Sequence, residues 1–213
     1  TLSPEMVALT AAAQRKSNAE FAGRLDPGKW CVYASFAGNE AVVPRIARDL
    51  QKLAHEAAAG SSEILNASAD AHLGGVSREA FDWLRWAAPS AALFRIVLPQ
   101  SKPRDLADLL CVAQESSLRS ALLVRAAAII YFVLLAETED ESALHALENA
   151  TVRVFSLAGA GQGHATLLHA PGKLKSRVNV WGPKRADLGM MQRVKHSFDP
   201  QNIFAPGRFV GGI

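Results

Sequence analysis

Strand-length apolar runs alternate with stretches of helical periodicity along this chain, and that alternation limits the architectures open to it. Residues 30–36, 63–66 and 91–98 are short and rich in β-formers. Residues 4–22, 40–58, 77–87 and 102–115 space their apolar side chains at three and four, the period of a helix with one buried face. Ser3 caps the first of these with Pro4 at its opening position, and Gly60 closes the second. Residues 120–125 and 129–136 read as a hairpin joined through Ala126–Ala128, with a single buried helix as the alternative. A helix over 139–149 capped by Thr138, strands at 152–157 and 165–169, a short edge strand around Val178 and Val180, and a last helix over 187–197 complete the order. Strands separated by helices, with one or two direct hairpins, fit an α+β fold. We expect a mostly antiparallel sheet covered by helices on one face and built of ferredoxin-like βαβ units.

With 213 residues, 49% of them hydrophobic, the chain can bury a full core, and residues 1–213 are expected to form a single domain. The longest apolar stretch, 121–136, contains Arg125 and spans 16 residues, short of the ~20 that a membrane helix needs. No apolar leader opens the chain, which begins at Thr1, as a processed chain or a piece of a longer one would. Cys31 and Cys111 sit in apolar runs and are expected to be core thiols, as suits a cytoplasmic protein. The formal charge of +3 is too small to indicate nucleic acid, and aromatics are not interleaved with bases on a sheet face. The charge is uneven, however. Lys173, Lys175, Arg177, Lys184, Arg185, Arg193, Lys195 and Arg208 face only Asp187 and Asp199 between residues 171 and 208. Such a run is either a solvated face or a surface that meets an anion.

Few residues carry chemistry by pattern. Gly159-Ala-Gly161-Gln-Gly163-His164 lacks the third glycine of a dinucleotide loop and is followed by a strand, whereas pyrophosphate binding needs a helix N-terminus there. The six histidines are scattered and show no metal spacing; His164 and His169 should point to opposite faces of a strand. His164, following glycines at a strand start, is either structural or an acid–base group. Arg95 and Arg125 each interrupt an apolar strand. Each either faces solvent from a one-sided sheet or clamps a carboxylate.

The last sixteen residues, 198–213, are stop-and-turn chemistry with aromatics. Pro200 ends the preceding helix, Pro206-Gly207 suits a type II turn, and Arg208 stands beside Phe209. Together with Gly163-His-Ala-Thr-Leu-Leu168, Val178-Asn-Val-Trp-Gly-Pro183 and Met191-Gln-Arg-Val-Lys195, this Asp-Pro…Pro-Gly-Arg tail resembles FAD-linked oxidases of the vanillyl-alcohol oxidase type, and glycolate oxidase FAD-binding subunits most closely. The resemblance is clearest over 155–213. It implies a C-terminal cap, or substrate, domain that works with an N-terminal FAD-binding domain of about 200 residues, onto which the tail 198–213 docks. It also implies oxidation of a small 2-hydroxy acid such as glycolate or D-lactate, with FAD held mainly by that other domain, inside a glycolate-oxidase-like complex of several subunits. The chain alone would then be inactive. By the same resemblance Arg95 and Arg125 hold the substrate carboxylate, His164 is the catalytic group, and Pro206, Gly207 and Arg208 lie at the cofactor. Two departures stand out. Ala205 replaces the asparagine usual before Pro-Gly-Arg, and Gly163-His-Ala-Thr lacks the Gly-His-x-Gly-Asp-Gly-Asn motif of the metal-dependent D-lactate and 2-hydroxyglutarate dehydrogenases. The competing reading is a non-enzymatic ferredoxin-like module that binds an anion or a partner.

Overall fold

A computed structural model describes residues 32, 34, 38–57, 59–64, 90–99, 104–125 and 129–213. The chain divides into two compact units, residues 1–83 and 84–213. The helices expected at 4–22 and 77–87, and nearly all of the strand expected at 30–36, lie outside the described residues.

In the first unit α1 spans Val42–Glu56. The Asn39 side chain receives the Ala41 N–H at 2.8 Å, and Pro44 falls in the first turn, where its missing N–H costs nothing. The helix ends at Ala57, which bonds back to Leu53, so Gly60 is not its closing residue. Its outer face carries the spaced pairs Arg45–Asp49 and Lys52–Glu56, both at 3.9 Å; exposed pairs of this kind add a few tenths of a kcal/mol.

The second unit is built on a four-stranded antiparallel sheet in the order β2-β3-β1-β4. The strands are β1 (Ala91–Val97), β2 (Arg119–Arg125), β3 (Ile129–Leu135) and β4 (His164–His169). Helix α2 (Arg104–Glu115) links β1 to β2, and α3 (Glu141–Ala160) links β3 to β4. Each helix therefore joins two strands with a third paired between them, the split βαβ arrangement of ferredoxin-like folds. β2 and β3 form the expected hairpin, in register from Arg119↔Leu135 to Arg125↔Ile129.

Strand alternation decides what meets the helices. Phe94 and Ile96 of β1, Phe132 and Leu134 of β3, Leu122 of β2 and Ala165 and Leu167 of β4 are buried in one cluster with Leu109, Val112 and Ala113 of α2 and Leu147, Ala150, Val154 and Ala158 of α3. Phe94 is its centre, 6.3 Å from the Phe132 ring and edge-on to Phe155 at 6.2 Å.

Four local expectations fail. The strand expected at 152–157 is the second half of α3. Its β-branched residues suggest a strand, yet Leu147, Ala150, Thr151, Val154, Phe155 and Ala158 continue one helical stripe, and burying that stripe outweighs local propensity. Thr151 keeps its hydroxyl satisfied inside the helix by donating to the Leu147 carbonyl at 2.7 Å. The cap of α3 is Asp140, which receives the Ala143 N–H at 2.8 Å, rather than Thr138. No edge strand forms at 178–180. A four-residue helix, α4 (Gly172–Lys175), and turns occupy that stretch, and a single bond from the Leu167 N–H to the Val180 carbonyl, 2.7 Å, ties it to β4. Cys111 is exposed on α2, not a core thiol. No helix among the described residues is long and apolar enough to cross a membrane.

The helical course of 152–157 can be checked directly. In a strand Val152 and Val154 would share a face; in α3 Val154 is buried and Val152 is 58% exposed. Val154→Ala is expected to cost about 1–3 kcal/mol in urea unfolding, and Val152→Ala less than about 0.5 kcal/mol. Equal losses would contradict the helix.

Candidate functional site

The sheet face turned away from α2 and α3 carries the polar residues that the sequence singles out. Register places Arg125, Ile129, Val97 and His164 in one row across the four strands, and Leu123, Tyr131, Arg95 and Thr166 in the next. Ala91, Leu93, Ala121 and Val133 on this face are buried, whereas Arg95, Tyr131, His164 and Thr166 are half-buried and Arg125 is exposed.

His164 and Arg95 are therefore diagonal neighbours on adjacent strands, with backbones about 7–8 Å apart. Arg125 stands on the opposite edge strand, three strand spacings or about 14 Å from His164. The fold brings Arg95 to His164 and leaves Arg125 apart. Among the described residues no carboxylate is ion-paired with Arg95. His169 does not lie on the opposite side from His164 as simple alternation requires. A register shift between Leu93 and Phe94 sets His169 opposite Leu93, on the Arg95 side.

Two residues that the sequence reading counted only as part of a charge run belong to this cluster. Arg185 and Asp187 form a two-pronged ion pair, Nε to Oδ1 at 2.9 Å and an Nη to Oδ2 at 2.6 Å. Burial pushes the His164 imidazole below the ordinary histidine range. The positive charges of Arg185 and Arg95 push it further, and Asp187 opposes them. The ring is thus neutral at neutral pH, with a nitrogen free to accept a proton. A single neighbouring Arg–x–Asp was the available signal, and it is too short and too common to read from sequence.

The glycine run before His164 ends α3. Gln162 takes a left-handed conformation (φ 58°), Gly163 N–H returns to Ala158 at 2.8 Å and Gln162 N–H to Gly159 at 3.0 Å, a Schellman closure. The end of a helix presented here is the carbonyl end, which repels phosphate. Gly163 has a separate task. A Cβ there would lie 2.0 Å from the Val97 carbonyl oxygen, so only glycine lets β4 start against β1 at this level and set His164 opposite Val97.

The tail is an ordered structure of its own. α5 (Leu188–Phe198) stops at Asp199, ahead of Pro200 as expected. The buried Asp199 carboxylate accepts from Lys195 Nζ at 2.5 Å and from the Ile203 and Phe204 N–H groups at 2.8 and 2.9 Å. Lys195 also donates to the Phe204 carbonyl at 2.6 Å, so two side chains tie the turn. Gly207 has φ 73° and the Arg208 N–H reaches the Ala205 carbonyl at 3.2 Å, as a type II turn over Pro206-Gly207 requires. Ala205 itself is left-handed (φ 47°), a conformation that asparagine tolerates better than alanine. Phe209 packs edge-on against Trp181 at 5.3 Å. Gly207, Arg208 and Phe209 thereby line an open cleft of about 340 Å³ with Lys175, Asn179 and Trp181; Pro206 does not line it. Phe198, Ile203 and Phe204 remain 84%, 64% and 71% exposed.

A model of the family of FAD-linked oxidases, C-terminal domain, matches residues 2–209. The chain belongs to that family. It is thus the C-terminal domain of an FAD-linked oxidoreductase, and membership implies use of FAD and an N-terminal FAD-binding domain as partner. No curated protein matches the chain significantly. Among solved structures, a C-terminal segment of the alpha subunit of aIF2 from Pyrococcus abyssi aligns over 76% of this chain and 90% of that one, at 16% identity and a TM-score of 0.31, too low to carry an argument. Among the described residues the domain offers guanidinium groups, a neutral imidazole and a cleft lined by Lys175 and Arg208, and no glycine loop opening a helix of the kind that holds a pyrophosphate.

Two outcomes test this geometry. Gly163→Ala should cost about 1–3 kcal/mol by forcing β4 from β1, read by urea unfolding; a neutral substitution would contradict the close approach. Asp199 is held at about 2, below its ordinary 3.8, first by the hydrogen bond from Lys195 and then by those from Ile203 and Phe204. Its contribution is full above pH 3.8 and is lost as pH falls towards 2. Stability should fall over that window, and the fall should be shallower in Asp199→Asn; parallel curves would show that the carboxylate does not hold the tail.

Proposed function

We infer that this domain forms the substrate side of the active site of a flavoprotein oxidising a small 2-hydroxy acid, glycolate or D-lactate, of the vanillyl-alcohol oxidase type and close to glycolate oxidase FAD-binding subunits. The observation that carries this reading is a neutral His164 beside Arg95 on a half-buried sheet face. A 2-hydroxy acid presents a carboxylate and, one carbon away, a hydroxyl that must lose its proton as the α-carbon loses a hydride. Arg95 is suited to pair with the carboxylate, since a guanidinium stays charged and offers two parallel donors. An imidazole nitrogen of His164 is suited to take the hydroxyl proton, since its depressed basicity keeps it neutral. Bound FAD would supply the hydride acceptor for this chemistry, which would leave the 2-oxo acid as product. Arg125 lies at the rim and would assist an approaching anion more than grip it.

The tail is the second element of the proposal. Its exposed Phe198, Ile203 and Phe204 would dock on the FAD-binding domain, bringing Pro206, Gly207 and Arg208 to the cofactor. Such a unit would work within a glycolate-oxidase-like complex in the cytoplasm, and residues 1–213 by themselves would be inactive.

The reading is tested by the visible spectrum of the full-length flavoprotein on anaerobic addition of each acid. Reduction of the flavin by glycolate or D-lactate is expected. Arg95→Met should lower kcat/KM on the order of 100-fold, mainly through KM, as loss of a charge-assisted carboxylate contact does. A flavin reduced by neither acid, or an unaffected Arg95→Met enzyme, would overturn it.

A further inference from the structure

Four residues of β1 and β4 form a closed frame on the sheet face turned away from α2 and α3. Register pairs Arg95 with Thr166 and Val97 with His164. Their backbones mark out a rectangle of about 5 Å between the strands and about 7 Å along them. All four residues are half-buried, while Ile96 and Ala165 between them are buried towards the helices. The frame is fixed at its Val97–His164 edge, where the absent Cβ of Gly163 would lie 2.0 Å from the Val97 carbonyl oxygen. The order of the corners matters. Arg95 and His164, long and polar, stand on one diagonal; Val97 and Thr166, short and β-branched, stand on the other. A molecule that reaches both Arg95 and His164 therefore crosses the middle of the frame, with Val97 on one flank and Thr166 on the other. In a 2-hydroxy acid the atom at that crossing is the α-carbon, whose substituent distinguishes one such acid from another. Thr166 lies directly opposite Arg95, and its hydroxyl is suited to donate to a carboxylate held there. Val97 lies directly opposite His164 and offers only methyl groups; Ile129, its partner on β3, continues that apolar edge at the same level.

We propose that Val97 is the specificity-determining residue of this site: with Ile129 behind it, its side chain is the apolar wall against which the substrate's α-substituent lies, so the domain takes 2-hydroxy acids whose substituent is hydrogen or a short alkyl group. A methyl group set against this wall leaves water and gains contact with the valine methyls. An ethyl group needs room that a valine fixed on a paired strand does not give. A substituent ending in a second carboxylate would lose its water against two aliphatic side chains. The next cation along that row is Arg125, two strand spacings or about 10 Å from Val97. The inference rests on the substrate class proposed above and on the Arg95–His164 diagonal as the line along which substrate binds.

The test compares flavin reduction in the FAD-loaded full-length protein by four acids that differ only at the α-substituent: glycolate, D-lactate, D-2-hydroxybutyrate and D-malate. Ratios of kcat/KM are read within each variant, so that a loss of folded protein cancels. Val97→Ala should raise the ratio of D-2-hydroxybutyrate to glycolate on the order of tenfold, the scale on which a hydrophobic pocket counts one methylene group. Val97→Ile should lower the ratio of D-lactate to glycolate, and Val97→Phe should lower it further, by about tenfold or more. Leu93→Ala opens the same kind of space on the far side of Arg95, where register sets Leu93 opposite His169, and should leave both ratios unchanged. Opposite shifts for a smaller and a larger residue at one position are what a general loosening of the sheet does not produce. Ratios that stay fixed in Val97→Ala and Val97→Ile, or that Leu93→Ala shifts equally, overturn the assignment of Val97. So does a wild-type preference for D-malate that Arg125→Met abolishes, since the substituent would then lie past Val97 towards the far edge strand. A wild-type flavin reduced by none of the four acids defeats the proposed function itself, and this inference with it. Fixed ratios beside a raised KM in Arg95→Met leave that function standing and defeat the role of Val97 alone.

Discussion

Strand β1 lies between β3 and β4, and its alternation joins the two halves of this domain's work. Phe94 and Ile96 point to the helices and anchor a core that reaches α2, α3 and every other strand. Arg95 and Val97 point the other way, and register carries their level across the sheet to Tyr131 and Thr166, and to Ile129 and His164. A one-residue slip of β1 would exchange the faces, putting Arg95 into the aromatic core and Phe94 among the polar groups. The burial that fixes the register is therefore what fixes the candidate site. Gly163 is part of the same constraint, since the tight approach of β4 to the Val97 carbonyl sets His164 at its level.

Electrostatics gives that geometry its chemical character. A half-buried imidazole among guanidinium groups is a poor site for a second positive charge, and a favourable one for an anion with a proton to give up. The C-terminal tail follows a different rule. Lys195 and Asp199 bind backbone groups of the turn that follows α5, the Ile203 and Phe204 N–H groups and the Phe204 carbonyl, and this small polar knot shapes a segment whose apolar side chains stay in solvent. Exposed aromatics on a rigid hook suit a surface completed by another domain.

Much of this was legible in the sequence because it rests on local chemistry. The alternation of Ala91–Val97, the paired strands around residues 126–128 and the Pro-Gly turn of the tail each carry their own signal. The second half of α3 was misread because Thr151, Val152, Val154 and Phe155 favour strands locally, and only the tertiary stripe from Leu144 to Ala158 shows why they are helical. Arg95 and His164 could be named as candidates, but their adjacency depends on strand order, which leaves Arg125 distant. Arg185 and Asp187 were hidden for the same reason. Nothing in a charge run shows which of its members pair with one another, and the bond from Leu167 to Val180 that ties the segment to β4 has no sequence signature.

The account's central claim is that the Arg95–His164 face receives the substrate. A crystal structure of the full FAD-loaded protein with a bound 2-oxo acid, the product, examines it most directly. The account predicts the product carboxylate on the Arg95 guanidinium, and the oxo oxygen within about 2.7–3.2 Å of a His164 ring nitrogen. A product bound elsewhere, with Arg95 and His164 touching only protein or solvent, would contradict it.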